Sequence, residues 1–296
     1  MSANLCQTGP AAPCAYCGPV HSADAVSVDG TRITYLFGGD VGAPPLLLLH
    51  GWAQSADCWG SDVLDQLSAD YRVVAVDLRG HGRSGRPERG YDDAALWAAD
   101  VAAVLGAAAI TTPPVLLAWS YGGLVACDYL AAGGRAAGLI LVGAITGLGR
   151  GKSGGRVGTA MRAALPDGMS TEPITAVAAL EGFSSALVGD GARAQAFLGA
   201  ALATPPHVRA ALFARECDND ELLATIAIPA LVLHGTADTV VDVRAGEHAA
   251  GLLGEVQTSY WEGGGHAPFA TDPQRFVTEI TAFAGHAHSA AGRMDA

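Results

Sequence analysis

The sequence has few basic residues, no long apolar run and no regular pattern of cysteines. Its 296 residues include 17 Lys and Arg against 29 Asp and Glu, for a formal net charge of −12, and Lys152 is the single lysine. This balance argues against nucleic acid or an anionic membrane as a partner. Apolar residues make up 50% of the chain, yet no uncharged apolar stretch reaches the ~20 residues that a membrane span needs.

The start of the chain and its cysteines bear on compartment and metal binding. Residues 1–19 lack the basic region and the continuous apolar segment of a secretory signal, so we expect a soluble, cytoplasmic protein. Six cysteines are scattered over the chain, which does not predict a disulfide scaffold. Cys14 and Cys17 form a C-x-x-C pair without a second ligand pair or a βαβ context nearby. No metal site is predicted.

Hydrophobic periodicity predicts alternating strands and helices up to about residue 145. After a hairpin around Asp29-Gly30, the predicted strands are at 46–49, 73–76, 115–119 and 139–142, and the predicted helices are at 57–67, 91–105 and 122–130. Alternation resumes with strands at 230–234 and 256–261 and helices at 243–253 and 273–284. This order predicts the α/β class with a mostly parallel, eight-stranded type of sheet covered on both faces.

Between these two stretches the alternation stops. Residues 146–226 are Ala-rich, with predicted helices at 158–165, 173–187, 193–202 and 208–214 and no strand-like run. We therefore expect a helical cap at 146–226, inserted after the sixth strand of a core formed by 25–145 and 227–285. Residues 1–24 and 286–296 are predicted to be flexible tails.

Residues 115–126, V-L-L-A-W-S-Y-G-G-L-V-A, have the pattern of a buried strand, a sharp turn and a helix. A serine at such a turn holds its hydroxyl at the carboxyl end of a sheet, where it can act as a nucleophile. Ser120 is therefore the predicted nucleophile, with Ala118 at the usual first glycine of G-x-S-x-G. An ordinary Ser-Gly turn is the alternative for this stretch taken alone.

A serine nucleophile needs a base and a carboxylate that orients the base, and in this type of fold they follow in the order Ser, Asp or Glu, His. Asp238 ends the run L-V-L-H-G-T-A-D, and His266 follows the last predicted strand in E-G-G-G-H-A-P. We predict these two as acid and base. Asp242 is a rival acid but has the position of a helix N-cap. Glu262 is too close to His266 in sequence to come from a separate strand end.

The loop that follows the strand at 46–49 begins H-G-W, and such a loop normally lends one N–H to an oxyanion hole. The predicted donors are the backbone N–H groups of Trp52 and Tyr121, while His50 is expected to orient the loop. The Gly-rich loop at 77–84 lacks the Gly-Lys-Ser/Thr of a phosphate-binding loop. It is predicted to be structural, with Asp77 paired to Arg79.

Taken together, these motifs resemble the α/β-hydrolase superfamily over about residues 26–284. They are H-G-W at 50–52, D-L-R-G-H-G-R-S at 77–84, W-S-Y-G-G at 119–123, H-G-T-A-D at 234–238 and G-G-H at 264–266. The chain looks most like the arylesterases once called cofactor-free haloperoxidases, or perhydrolases, with which it shares H-G-W followed by Trp59. The resemblance implies a triad of Ser120, Asp238 and His266 that needs no cofactor. It also implies a cap that forms the acyl or alcohol pocket.

The sequence departs from that group beside the nucleophile and in the H-G-W loop. Trp119 is bulkier than usual, and Ala53 stands where perhydrolase members often carry proline, which weakens the case for peracid chemistry. Serine at position 120 disfavours the superfamily members with an aspartate nucleophile, epoxide hydrolases and haloalkane dehalogenases.

The predicted function is a serine hydrolase that cleaves a carboxylic ester, lactone or thioester through an acyl-enzyme on Ser120. A C–C bond hydrolase or a perhydrolase would use the same residues, and a non-catalytic ligand receptor of the same fold is the alternative from another class. Trp119, Phe183 and Met161 are predicted to line a pocket for a small, apolar, ester-like substrate. The sequence leaves a homo-oligomer open.

Overall fold

A central β-sheet organises the computed structural model, which describes residues 20–294. The strands are β1 (His21–Val26), β2 (Arg32–Gly38), β3 (Pro45–Leu49), β4 (Arg72–Val76), β5 (Val115–Trp119), β6 (Gly138–Val142), β7 (Gly147–Leu148), β8 (Cys217–Asp218), β9 (Ala230–Gly235) and β10 (Val256–Trp261). All but β7 and β8 form one eight-stranded sheet in the order β1-β2-β4-β3-β5-β6-β9-β10. The β1–β2 and β2–β4 pairs are antiparallel and the others parallel, which confirms the predicted α/β class.

The helices are α1 (Ser61–Leu67), α2 (Ala94–Ala107), α3 (Gly122–Ala131), α4 (Thr159–Gly168), α5 (Pro173–Val188), α6 (Ala192–Ala203), α7 (Pro206–Phe213), α8 (Asp220–Thr225), α9 (Val243–Leu252), α10 (Pro268–Thr271) and α11 (Pro273–Met294). Every residue of β3, β5, β6 and β9 is buried, as expected for continuous apolar strands covered on both faces. None of the helices within residues 20–294 is long and apolar enough to cross a membrane.

The strand register brings the carboxyl ends of four neighbouring strands to one edge of the sheet. Trp119 at the end of β5 pairs with Val142 of β6, which in turn pairs with Leu233 of β9. Gly235 at the end of β9 pairs with Trp261 at the end of β10. The segments that follow these strands therefore meet at one edge, which is where open α/β sheets place their sites.

We refer to residues 146–226 as the cap segment. It contains α4 to α8, and four of these helices agree closely with the predicted ones, whereas α8 was not predicted. The expectation of no strand is wrong, because β7 and β8 pair antiparallel, Gly147 with Asp218 and Leu148 with Cys217. Two-residue strands carry no periodicity, so these strands are revealed only by the tertiary structure, in which the two ends of the cap segment lie side by side.

Both predicted tails are partly wrong. Strand β1 begins at His21, inside the predicted tail 1–24, and pairs with β2 along its whole length. Helix α11 runs to Met294, through most of the predicted tail 286–296. Ala287 on this helix is fully buried, and a Cβ added to Gly138 of β6 would lie 2.8 Å from the Ala287 Cβ. The small side chain thus lets α11 approach the sheet closely. Cys14 and Cys17 lie outside the described residues.

The predicted pairing of Asp77 with Arg79 is also wrong. The Arg79 guanidinium donates to Asp100 on α2, from Nε at 2.6 Å and from Nη2 at 2.7 Å. Asp77 instead accepts from the backbone N–H groups of Ala56 at 2.7 Å and Arg83 at 2.9 Å. The two side chains therefore serve separate contacts, and Asp77 joins the Gly-rich loop to the loop that follows β3.

Candidate active site

Ser120 lies in the turn between β5 and α3 with φ of 56°, a left-handed conformation that is strained for a residue with a Cβ. A Cβ on Gly122 would lie 2.3 Å from the Leu49 carbonyl oxygen, and one on Gly123 would lie 2.5 Å from that of Ile145. Both positions therefore require glycine. This strand–turn–helix geometry places the hydroxyl at the carboxyl end of the sheet.

Ala118 fits the first position of the motif because its methyl group is completely buried within β5. Its neighbours across the sheet are Leu49 of β3 and Leu141 of β6. In the loop after β3, a Cβ on Gly51 would lie 2.9 Å from the Ser120 Cβ and 3.3 Å from its Oγ. The loop after β3 is thus in direct contact with Ser120.

Asp238 and His266 form a short hydrogen bond of 2.6 Å between Oδ2 and Nδ1. The other oxygen of Asp238 accepts from the N–H groups of Val240 at 2.7 Å and Val241 at 3.0 Å. Burial raises the pKa of the Asp238 carboxyl, but the charge of His266 and hydrogen bonds from His234 and His266 hold this pKa well below its usual range. Asp238 is therefore ionised.

A carboxylate only accepts hydrogen bonds, so the Nδ1 of His266 carries the proton and its Nε2 is left as a base. Gly143, with φ of 47°, follows β6 beside this pair. A Cβ at Gly143 would lie 3.2 Å from His266 Nδ1 and 3.3 Å from Asp238 Oδ2. The absence of a side chain at position 143 lets the acid–base pair lie directly over the end of β6.

The loop that carries Trp52 is held by two buried histidines. His50 donates from Nδ1 to the Gly51 carbonyl at 2.8 Å and accepts at Nε2 from the Leu78 N–H at 3.0 Å. His81 accepts at Nε2 from the Ala53 N–H at 3.2 Å. Burial lowers the pKa of His50 to about 4 and that of His81 to about 3, so both rings are neutral. His50 orients this loop, as expected.

Among the described residues, the backbone N–H groups of Trp52 and Tyr121 donate to no backbone oxygen, and the same holds for the adjacent Gly51 and Gly122. Trp52 follows β3 and Tyr121 follows the nucleophile. They remain our candidates for an oxyanion hole.

The three predicted pocket residues are all buried. Trp119 is 1% exposed, and Phe183 and Met161 are each 3% exposed. The Phe183 ring lies edge-on against Trp52, with centroids 5.2 Å apart, so this cap side chain lies beside a candidate oxyanion residue. Met161 lies on α4 within the same apolar core.

Asp242 and Glu262, the alternatives to Asp238 as the acid, do not take part in the hydrogen bond to His266 Nδ1. Asp242 is the N-cap of α9, with its side chain accepting from the Arg244 N–H, as its sequence position predicted. Glu262 is exposed. No group of three or more His, Cys, Asp or Glu side chains that could hold a metal ion is present between residues 20 and 294.

With this geometry established, comparison with known proteins identifies the family. A model of the alpha/beta hydrolase family matches residues 46–279. The chain belongs to the α/β hydrolase family. Its sequence is 57% identical to that of an esterase from Rhodococcus sp. ECU1013 whose crystal structure is known. The match covers 89% of this chain and 98% of that chain, with a TM-score of 0.87.

Other relatives of this α/β hydrolase include proteins named as haloperoxidases and proteins named as esterases. It is 34% identical to a non-heme chloroperoxidase of Streptomyces lividans, over 86% of this chain and 96% of the relative. An esterase structure from Exiguobacterium antarcticum is 25% identical, covers 88% of this chain and 98% of its own, and has a TM-score of 0.77. These findings confirm the family resemblance drawn from the motifs.

Two contacts beside the triad candidates of this hydrolase were not predicted. His234 at the end of β9 places Nε2 3.2 Å from Asp238 Oδ2 and 3.0 Å from the Val241 carbonyl oxygen. Its position in the H-G-T-A-D motif was the available signal. Trp119 donates from Nε1 to the His266 carbonyl at 2.9 Å, and no local pattern indicates a bond between residues 147 positions apart. Trp119 thus holds the loop that carries His266.

Proposed function

We propose that this α/β hydrolase is a serine esterase that hydrolyses carboxylic esters through an acyl-enzyme on Ser120. The observation that carries the proposal is the hydrogen bond of 2.6 Å between Asp238 and His266, at the same sheet edge as a serine with φ of 56°. The esterase name of the Rhodococcus relative, at 57% identity, supports the same activity.

In the proposed mechanism, Ser120 Oγ attacks the ester carbonyl while His266 Nε2 takes the hydroxyl proton. Asp238 balances the imidazolium that forms, and the N–H groups of Trp52 and Tyr121 bind the oxyanion. The tetrahedral intermediate expels the alcohol, which receives the proton from His266. A water molecule, deprotonated by His266, then attacks the acyl-enzyme and releases the acid. One preorganised oxyanion donor contributes about 10²–10³ to turnover.

We further propose a small, apolar ester as the substrate, with the cap segment forming the pocket. Phe183 supports this, because the ring packs against Trp52 and brings an apolar cap side chain next to the candidate oxyanion hole. Trp119 and Met161 are the other proposed pocket residues. An ester that carries a free carboxylate should be a poorer substrate than its neutral methyl ester, and the opposite preference would contradict an apolar pocket.

Perhydrolysis is the second candidate, because the Streptomyces lividans relative is named a non-heme chloroperoxidase. In that reaction hydrogen peroxide replaces water in the attack on the acyl-enzyme. The conformation of the oxyanion loop disfavours it in this chain. Ala53 has φ of 54°, whereas a proline ring fixes φ near about −65°, so this loop differs from one that carries proline at the same position.

The test compares wild type with Ser120→Ala on p-nitrophenyl esters of increasing chain length and with a fluorophosphonate probe. Ser289 is exposed on α11, so Ser289→Ala is the matched control. We expect Ser120→Ala to abolish labelling and to lower kcat by more than about 1,000-fold, with Ser289→Ala unchanged. Labelling of Ser120 without ester turnover would favour a lactone, a thioester or a C–C bond as substrate. A wild type that neither reacts nor turns over would refute the proposal.

A further inference from the structure

One helix of the cap segment, α7, accepts hydrogen bonds from the side chains of both candidate oxyanion residues. Trp52 donates from Nε1 to the Arg209 carbonyl at 3.1 Å, and Tyr121 donates from its hydroxyl to the Leu212 carbonyl at 3.2 Å. Residues 209 and 212 are one turn apart on the same face of the helix. Leu212 lies in the last turn, where carbonyl groups lack a partner within the helix, so the Tyr121 hydroxyl satisfies it.

The end of α7 also packs against both residues through one aromatic ring. The centroid of Phe213 lies 5.5 Å from that of Trp52 and 6.4 Å from that of Tyr121, both in edge-on arrangements. Aromatic pairs at such distances favour a defined mutual orientation. Phe213 therefore links Trp52, in the loop after β3, to Tyr121, which directly follows Ser120.

Two buried arginines fix α7 in place. Arg209 donates from Nε to the Gly168 carbonyl at 2.6 Å and from Nη1 to the Ala201 carbonyl at 3.1 Å, which ties α7 to α4 and α6. Arg215, just after α7, forms an ion pair with Asp128 on α3 in which its Nη2 donates to both carboxylate oxygens, at 2.9 and 3.0 Å. Both partners of this ion pair are almost fully buried, and breaking such a pair is strongly destabilising.

The same ion pair reaches the Tyr121 hydroxyl, since Arg215 Nη1 lies 3.5 Å from its oxygen. Burial raises the pKa of Tyr121 well above its ordinary value, so the hydroxyl keeps its proton at neutral pH and acts as a donor. Helix α3 begins directly after the nucleophile turn. The cap segment is thus joined to the nucleophile turn and to the loop after β3 by contacts of one helix.

We propose that the side chains of Trp52 and Tyr121 are positioning groups through which α7 sets the places of the backbone N–H groups of these same residues, the two candidate oxyanion donors. This inference rests on the proposed esterase function. An oxyanion donor is effective only when it lies within about 2.7–3.1 Å of the developing charge. A small displacement of either N–H group weakens transition-state binding more than ground-state binding. Changes in α7 should therefore alter kcat, whereas a pocket role would alter KM.

The experiment compares Tyr121→Phe with Tyr71→Phe as the matched control. Tyr71 is also buried and donates its hydroxyl to a backbone carbonyl, that of Thr281 on α11, at 2.9 Å. For Tyr121→Phe we expect kcat to fall about tenfold with KM within about twofold, a fraction of the loss of a whole oxyanion donor. Tyr71→Phe should change neither constant, while thermal unfolding reports any stability loss that the two variants share.

A trifluoromethyl ketone, which adds to the nucleophile and forms an oxyanion, supplies the second readout. Its inhibition constant for Tyr121→Phe should rise by the same factor as kcat/KM falls, because both measure binding of the oxyanion. Phe213→Leu keeps both hydrogen bonds and removes the ring contacts, so it should change kcat in the same direction by a smaller factor.

An active wild type with an unchanged kcat in Tyr121→Phe would overturn the coupling alone, and so would a rise in KM without a change in kcat. A wild type that hydrolyses no ester and is not labelled by the fluorophosphonate probe would overturn the proposed function, and this inference with it.

Discussion

Separate replacement of Asp238 and Asp242, the two aspartates that follow β9, by asparagine is the sharpest test of the acid–base assignment. In Asp238→Asn, the amide oxygen must face the N–H groups of Val240 and Val241, which lie 2.7 and 3.0 Å from the present Oδ1. The NH2 group then takes the place of Oδ2 and faces His266 Nδ1, which lies 2.6 Å from Asp238 Oδ2 in the wild type. Because that group donates, Nδ1 must lose its proton and Nε2 must carry it. Such a ring cannot accept the Ser120 proton.

A reversed tautomer of this kind lowers turnover by about 10⁴ in the serine-protease triad, so we expect kcat to fall by roughly 10³–10⁴ with KM little changed. His234 also loses a carboxylate acceptor, now 3.2 Å away. The free energy of unfolding should therefore decrease by about 1–3 kcal/mol, measured by urea denaturation. We expect the variant to remain folded, so that the loss of turnover is not caused by unfolding.

Asp242→Asn is the matched control, four residues away. Asp242 caps α9 and pairs with Arg244, whose hydrogen bonds lower the pKa of this carboxyl to about 2. Asparagine is an equally good N-cap, and an exposed ion pair contributes about 0–1 kcal/mol. We expect kcat within about twofold of wild type. If Asp242→Asn loses activity while Asp238→Asn keeps a tenth or more of it, the assignment of Asp238 is wrong.

Three further outcomes follow from contacts around the site. Trp119→Phe removes the donor to the His266 carbonyl, so the free energy of unfolding should fall by about 1–3 kcal/mol and kcat should fall several-fold. Unchanged kinetics would mean that this hydrogen bond does not hold the loop that carries His266. His50 and His81 have pKa values of about 4 and 3 in the folded protein, against about 6.5 in the unfolded chain. As the pH falls from 7 to 5, each should lower the free energy of unfolding by about 2 kcal/mol, because only the unfolded chain binds the extra protons. Equal urea midpoints at both pH values would contradict their burial as neutral rings. Ala53→Pro should lower kcat more than tenfold, since proline can neither adopt φ of 54° nor donate to His81, and unimpaired ester hydrolysis would show that the loop shape is not needed.

Local patterns accounted for the parts of the molecule that depend on neighbours in sequence. The apolar run before Ser120 and the two glycines after it predict a strand, a turn and a helix, and all three are present. Asp242 was expected at a helix start and caps α9, because a cap bonds to an N–H group two residues away. The order Ser120, Asp238, His266 nominated the triad candidates, since parallel strands deliver their carboxyl ends to one edge.

Other features were out of reach because they depend on residues far apart in the chain. The partner of Arg79 is Asp100 on α2 rather than nearby Asp77, since a buried guanidinium bonds to whichever carboxylate the packing places beside it. The C-terminal helix extends to Met294 because small side chains such as Ala287 let it lie against β6.

The sequence by itself determined the α/β class, the candidate catalytic residues and the strand ends on which these candidates lie, because each depends on periodicity or on a short motif. Only the tertiary structure decided which groups surround them. The hydrogen bonds of Trp52 and Tyr121 to α7 join residues 157 and 91 positions apart, and Trp119 reaches His266 across the same kind of separation. Such contacts form between side chains and backbone carbonyls, and a carbonyl group is present at every position, so no residue type in the sequence reveals which one will be used.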